Sequence, residues 1–229
     1  MIAYELSNYQ LLRIQVYEHL REQLRNGILK PGMFISINQM IQNLGISRTP
    51  LRDALLQLQT EGFVTFLPQR GIKIVELSLH DVENIFDIIS ALDSRVLISV
   101  FDKIGQKEID KMKKINEKML LAGLKSELFK YWELNTKFHG TYLNLSKNDL
   151  ILHHISILRQ QLFGFRKMNW WDKLTETNYE DHLKIVDMIE KGDAKKVAEY
   201  LRDVHLSYQD FKDIIKPQPE QTGSNQEKN

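Results

Sequence analysis

The hydrophobic pattern changes period twice in the first third of this 229-residue chain, and that change limits the folds open to it. From Leu11 to Leu24 apolar residues fall at helical spacing (Leu11, Ile14, Val16, Tyr17, Leu20, Leu24). Asn26-Gly27 then stops the helix, and Lys30-Pro31-Gly32 turns the chain. A second helix fits Ile37–Leu44, closed by Gly45, and a third runs from about Ser47 to Thr60, closed by Gly62. Ser47 and Thr49 are candidate N-caps, and Pro50 is tolerated only in a first turn. After Gly62 the runs Phe63–Phe66 and Ile72–Val75 are β-rich, separated by Leu67-Pro68-Gln69-Arg70-Gly71. Three helices followed by a two-stranded hairpin outline a winged helix.

Beyond Leu77 the strand signal is gone. Ser78-Leu79-His80-Asp81 resembles a capping box and opens a helix running to about Lys103. Further helices fit roughly 106–122, 126–145, 149–167, 174–191 and 194–214, divided by Gly105, Gly123, Asn148, Met168–Asp172 and Gly192-Asp193. The expected fold is mainly α: a winged helix-turn-helix over 8–77, an all-α bundle of about six helices over 78–216, and a disordered polar tail over 217–229.

Composition narrows the chemistry. The chain has no cysteine, which excludes disulfides, thiolate metal sites and a cysteine nucleophile. No apolar run is long enough for a membrane helix, and the N-terminus lacks a signal pattern, so a cytoplasmic protein without a membrane partner is expected. Residues 1–77 carry eight basic side chains against six acidic ones, so placement rather than net charge has to argue for nucleic acid. No GxSxG, P-loop, GxGxxG or HExxH string occurs, and nothing argues for catalysis. The enzyme alternative is a metal-dependent one with an accessory DNA-binding head. It lacks an evident general base.

Ile37 to Leu56 reads as a helix-turn-helix: Ile41 where the helices touch, Gly45 at the turn, and Leu51 under the second helix. Seated so, the recognition helix exposes Ser47, Arg48, Thr49 and Arg52 near its N-terminus, the end that enters a major groove. Arg70, beside Gly71 at the hairpin tip, is placed for the adjacent minor groove or its phosphates. The bland alternative is that these arginines solvate a helix face.

These residues carry a resemblance. Leu29-Lys30-Pro31-Gly32, then Leu44 to Leu55 (LGISRTPLRDAL), Leu58-x-x-Glu61-Gly62-Phe63-Val64 and Arg70-Gly71 resemble the GntR family of bacterial transcription regulators. The resemblance implies a ligand-responsive homodimer, most often a repressor, that reads a pseudo-palindromic operator in double-stranded DNA. Asn38 stands where many relatives place a third DNA-contacting arginine, and it is carried as a DNA-facing position.

The second region resembles the FadR-type C-terminal domain, which dimerises and binds a small effector. Asn135-x-x-Phe138-His139 and Asp181-His182 through His205-Leu206 carry that likeness. In many relatives an Asp and three His from these places hold a divalent metal, which here implies His139, His182 and His205 with Asn135 in the place of the acid. Three imidazoles suit zinc or nickel. His205 falls one residue later than the family spacing, which on a regular helix rotates it by about 100°. Hydrogen-bonded interior histidines or direct effector contacts are the alternative. Relatives that recognise carboxylates often have an arginine near the position of Ile89. Arg95, Arg159 and Arg166 remain as anion partners, with surface or salt-bridging roles as the alternative. Trp132, Trp170 and Trp171 read as core or interface aromatics, Lys111–Lys114 as a solvated face, and His153-His154 as diverging side chains.

Overall fold

The computed structural model describes residues 2–164, 171–208 and 212; the tail over 217–229 lies outside the described residues. Helix α1 spans Ile2–Arg25, and the chain turns where Gly27 takes φ 69°. Helix α2 (Ile37–Leu44) starts at Ser36, whose hydroxyl accepts from the Gln39 N–H, and ends at Gly45 with φ 63°. A side chain is disfavoured in that left-handed conformation, so the tight turn into α3 falls on glycine. Helix α3 covers Arg48–Thr60 with Ser47 at its N-cap, while Thr49 and Pro50 sit inside the first turn.

The expected hairpin gains a third strand. Strands β2 (Val64–Leu67) and β3 (Gly71–Ile74) pair antiparallel, with Val64 opposite Ile74 and Leu67 opposite Gly71. A short β1 (Phe34–Ile35) lies on the other edge of β3, with Phe34 opposite Lys73. Two residues carry no readable period, which is why the sequence shows two strands where three form. The added strand also explains Gly71: a Cβ there would lie 2.3 Å from the Ile35 carbonyl oxygen, at φ 93°. Leu20, Leu51, Leu55, Leu58, Phe63 and Ile72 close the core of this head.

The helical unit begins at α4 (Leu79–Val100), opened by the capping box in which Ser78 and Asp81 exchange hydrogen bonds. A 3-10 turn at Phe101–Lys103 leads to α5 (Gln106–Leu124), α6 (Leu128–Leu143), α7 (Asp149–Gly164), α8 (Trp171–Glu190) and α9 (Ala194–Tyr200). Gly123 does not divide two of these helices. It lies within α5, where a Cβ would meet Thr175 of α8 at 2.3 Å, so it is a close-packing glycine, and the break follows at Ser126 with φ 55°. Leu97, Met112, Met119, Tyr131, Phe138, Tyr142 and Ile185 form the centre of this core.

Helix α7 belongs to both cores. Its Ile157 is buried with the head residues, whereas Ile155 is buried with the helical unit. Burying such a side chain contributes on the order of 2 kcal/mol, enough to make the contact between head and bundle a defined seat. No described helix is long and apolar enough to cross a membrane.

Candidate functional site

Two sites stand at opposite ends of that seat. On the head, Ser47, Arg48, Thr49 and Arg52 are all exposed at the start of α3, and Arg70 is exposed beyond β2. Arg48 donates to the Asn38 side-chain oxygen at 2.5 Å. Asn38 thus orients an arginine of the recognition helix from α2. At the other end of α3, Tyr17 of α1 donates to the Glu61 carboxylate at 2.7 Å, and midway along it Tyr9 donates to Asp53 at 2.5 Å. The recognition helix is therefore braced against α1 along its length and open to solvent at its N-terminus.

The second site lies in the helical unit, where the sequence-expected His139, His182 and His205 come together. All three are buried, and their ligand nitrogens lie within 4.8 Å of one another. The backbone brings His205 in by a device the sequence does not advertise. Residues Leu201–His205 form a π-turn, with the Leu206 N–H bonding the Leu201 carbonyl at 2.9 Å. The wider turn absorbs the one-residue offset, so the 100° rotation expected of a regular helix does not occur.

Two of the imidazoles are hydrogen-bonded through Nδ1, and the third faces a carboxylate there. Tyr142 donates to Asp93, so its oxygen accepts from His139 Nδ1 at 2.9 Å. His182 Nδ1 lies 3.0 Å from the Asn116 side-chain oxygen, which can only accept. His205 Nδ1 lies 3.5 Å from Asp181 Oδ2. The Tyr142 and Asn116 oxygens place the proton on Nδ1 of His139 and His182 and leave Nε2 of those two rings as a lone pair. The Nε2 atoms of His139 and His205 lie at hydrogen-bond distance, 3.3 Å, and among the described residues His182 Nε2 has no hydrogen-bond partner. Phe138 stacks on His182 with centroids 3.6 Å apart and fixes that ring.

Charge sits behind the rings. Burial pushes the His139 pKa well below the usual value, and the cation of Arg159 adds to the effect. Burial depresses His182 likewise. Both are therefore neutral near pH 7, the form that offers a lone pair. Asp93 has no solvent exposure; burial pushes its pKa up, against the opposing pull of Arg159 and Tyr142. Burial also pushes Asp181 up, but His205, Tyr200 and Lys184 outweigh it and hold the carboxyl below its ordinary value.

A cavity of about 1370 Å³ opens from this cluster. Its wall includes Asn135, His139 and His205, together with Ile89, Trp132 and Arg159. Asn135 lies one turn before His139, and its buried Oδ1 has no hydrogen-bond partner among the described residues. The three imidazoles with this amide oxygen are the set that could hold a metal ion. The resemblance placed the site's acid at position 135; the carboxylates of this chain stand instead behind the rings, on Asp93 and Asp181.

The two arginines expected to meet an effector fare differently. Arg159 lines the cavity but is paired with buried Asp93. Arg95 does not reach the cavity. It follows Asp93 by two residues, about 200° around the helix, and borders a separate recess of about 520 Å³ with Lys103 and Lys147. Arg166, Trp170 and the Trp171 side chain lie outside the described residues, and His153 and His154 are both exposed. Sequence reasoning missed Asp93, although an acid in the inward stripe Ile85, Ile89, Leu97 was its signal. It also missed Tyr142 and Asn116, which no motif marks.

A winged head that exposes the start of its recognition helix, joined to a helical domain with an internal cavity, defines a DNA-binding transcription regulator. The particular family follows from comparison with known proteins. Residues 12–74 match the bacterial regulatory proteins of the gntR family, and residues 84–206 match the FCD domain. The chain belongs to the GntR family of transcription regulators with an FCD domain, a class of regulators and not of enzymes. It is 26% identical to the HTH-type transcriptional regulator YdhC of Bacillus subtilis, over 82% of this chain and 85% of that one. It is 23% identical to the HTH-type transcriptional repressor RspR of Escherichia coli, over 89% and 91% respectively. The fold is similar to the solved structure of E. coli McbR/YncC, with TM-score 0.72 and 20% identity over 89% of this chain and 96% of that one.

The depressed histidines set a pH dependence. The unfolded chain takes up protons on these rings below about pH 6.5, whereas the folded state does not until much lower. Stability of the metal-free protein therefore falls as pH drops below about 6.5. Replacing His139 or His182 with Gln should flatten that slope by up to one proton each, ~1.4 kcal/mol per pH unit. Urea unfolding in EDTA at pH 7.5, 6.5 and 5.5 checks it, and an unchanged slope in both variants would show the rings to be protonated when folded.

Proposed function

We propose that this regulator is a repressor that binds a pseudo-palindromic operator as a homodimer and is released or retained by a small effector in the FCD cavity. The observation that carries the reading is the continuous cavity that begins at the His139 and His205 imidazoles and ends against the DNA-binding head. The name of the similar repressor RspR supports the sign of regulation. Arg48 and Arg52 read base edges, Ser47 and Thr49 bind phosphate at the helix N-terminus, and Arg70 with Gly71 follows the backbone from the wing. An effector acts by its differential affinity for DNA-competent and incompetent arrangements, about 1–3 kcal/mol of coupling.

The homodimer is supported by the outer face of α4. Asn84, Ile88, Ala91, Arg95 and Ile98 are exposed at alternating spacings of four and three. An antiparallel pairing about Ala91 sets Asp87 of one copy opposite Arg95 of the other, twice over, as a two-fold axis requires. Arg95 is thereby given a role at an interface instead of at an effector.

The bundle also holds a divalent ion, zinc or nickel, between His139, His182 and His205 with Asn135. Bound there, the ion would add a positive charge and open coordination positions to the cavity. Tyr142 and Asn116 orient two of the rings for it, and the uncharged donor set leaves Asp181, beside His205, to balance its charge from behind.

Two experiments test these assignments. On an operator obtained by selection from random DNA, Arg48→Ala and Arg52→Ala should each lose about 1–3 kcal/mol of binding, with relaxed preference at the base concerned. Equal weakening on all sequences with a flatter salt dependence would assign them to phosphates instead. Native mass spectrometry of unchelated protein should give a dimer with one metal per chain, and His139→Ala should remain a dimer without metal. A metal-free wild-type dimer would leave the histidines as core or effector contacts.

A further inference from the structure

The head itself walls the FCD cavity. Beyond the imidazoles the lining continues onto α1, through Gln15, His19 and Arg21. The cations that border the cavity are not equivalent. Arg159 is neutralised by Asp93, Lys137 by Glu133 at 2.5 Å, and Arg25 pairs with Glu22 at 3.7 Å. Lys111 stands in solvent at the rim. Arg21 is half-buried, yet among the described residues no carboxylate lies within ion-pair distance of it. Its guanidinium is held by neutral groups alone: the Gln160 side-chain oxygen, the Tyr17 hydroxyl at 3.0 Å, and the faces of Tyr17 and Phe63 at 5.4 and 5.8 Å.

We propose that the cavity takes a small organic carboxylate and that Arg21, a residue of the DNA-binding head, is its anion partner. This rests on the effector reading above and adds the ligand's charge and the residue that meets it. A guanidinium with neutral partners exchanges one of them for a carboxylate at a gain, because a charge-assisted pair is roughly twice as strong as a neutral hydrogen bond. Gln160 is the partner most easily exchanged, since its amide can turn to solvent, whereas unpairing Arg159 would strand the buried charge of Asp93.

The exchange reports directly to DNA reading. Gln160 clamps α1 from both sides, accepting from the Arg21 guanidinium and donating to the Arg21 carbonyl at 3.3 Å. The next residue, Gln161, donates to the Glu61 carbonyl at 2.6 Å, at the end of the recognition helix. Glu61 in turn accepts from Tyr17, the same hydroxyl that Arg21 touches. A ligand that draws Arg21 into the cavity loosens the α1–α7 clamp and the Tyr17–Glu61 brace in one movement. Arg21 is thus a ligand contact and a switch element at once.

The test titrates the full-length protein with succinate, glutarate and citrate, each against its uncharged amide, and with inorganic phosphate. Intrinsic tryptophan fluorescence and thermal shift report binding. At least one carboxylate should bind wild type at least about tenfold more tightly than its amide, with Arg21→Gln losing that factor and Arg21→Lys keeping part of it. The bound acid should change operator affinity in wild type and not in Arg21→Gln. Circular dichroism and the metal content of the variants separate loss of the contact from loss of the fold. Amides binding as well as acids, phosphate binding alone, or full retention in a folded Arg21→Gln would overturn the assignment and leave the effector reading standing. Failure of every acid and amide to bind would count against both.

Discussion

A carboxylate with no exposure to solvent must be matched by its neighbours, and Asp93 is the group around which the helical domain is arranged. An unpaired charge at that depth costs several kcal/mol, enough to unmake a domain of ordinary stability. Arg159 from α7 supplies the counter-charge and Tyr142 from α6 supplies a hydroxyl. Three helices are thereby tied at one point. The same hydroxyl then accepts from His139, so the electrostatics of Asp93 set the ring that opens the cavity.

The tie extends to the head because α7 carries successive residues to different places. Arg159 reaches the bundle interior, Gln160 reaches α1, and Gln161 reaches the end of the recognition helix. Three neighbouring side chains on a helix diverge by about 100° each, which is how one turn can touch three elements. The family's separation into a reading head and a sensing domain is bridged in this chain by a single helical turn.

Much of the fold was legible before any coordinates. The glycine at 45 and the apolar anchor at Leu51 define the helix-turn-helix through local geometry, and local geometry is written in local sequence. The third strand was not, because Phe34-Ile35 is too short to show a period and pairs with residues almost forty positions away. Gly123 was misread as a helix stop because close packing against Thr175 and chain reversal both call for glycine. In the site, the three histidines were legible by motif, but the π-turn that admits His205 and the polar atoms that fix the tautomers of His139 and His182 arise only from packing between distant elements. Arg21 belongs to the head by sequence and to the cavity by structure, and no pattern within either region connects the two.

The central claim is that Tyr142 and Asn116 hold the His139 and His182 imidazoles neutral, each with its Nε2 lone pair turned into the cluster. Long-range ¹H–¹⁵N correlation spectra of the metal-free protein at pH 7 measure that directly, since Nδ1 and Nε2 shifts distinguish the tautomers. His139 and His182 should each show a protonated Nδ1 and a bare Nε2. A protonated Nε2 on either of these two rings, or an imidazolium on either at that pH, would contradict the account.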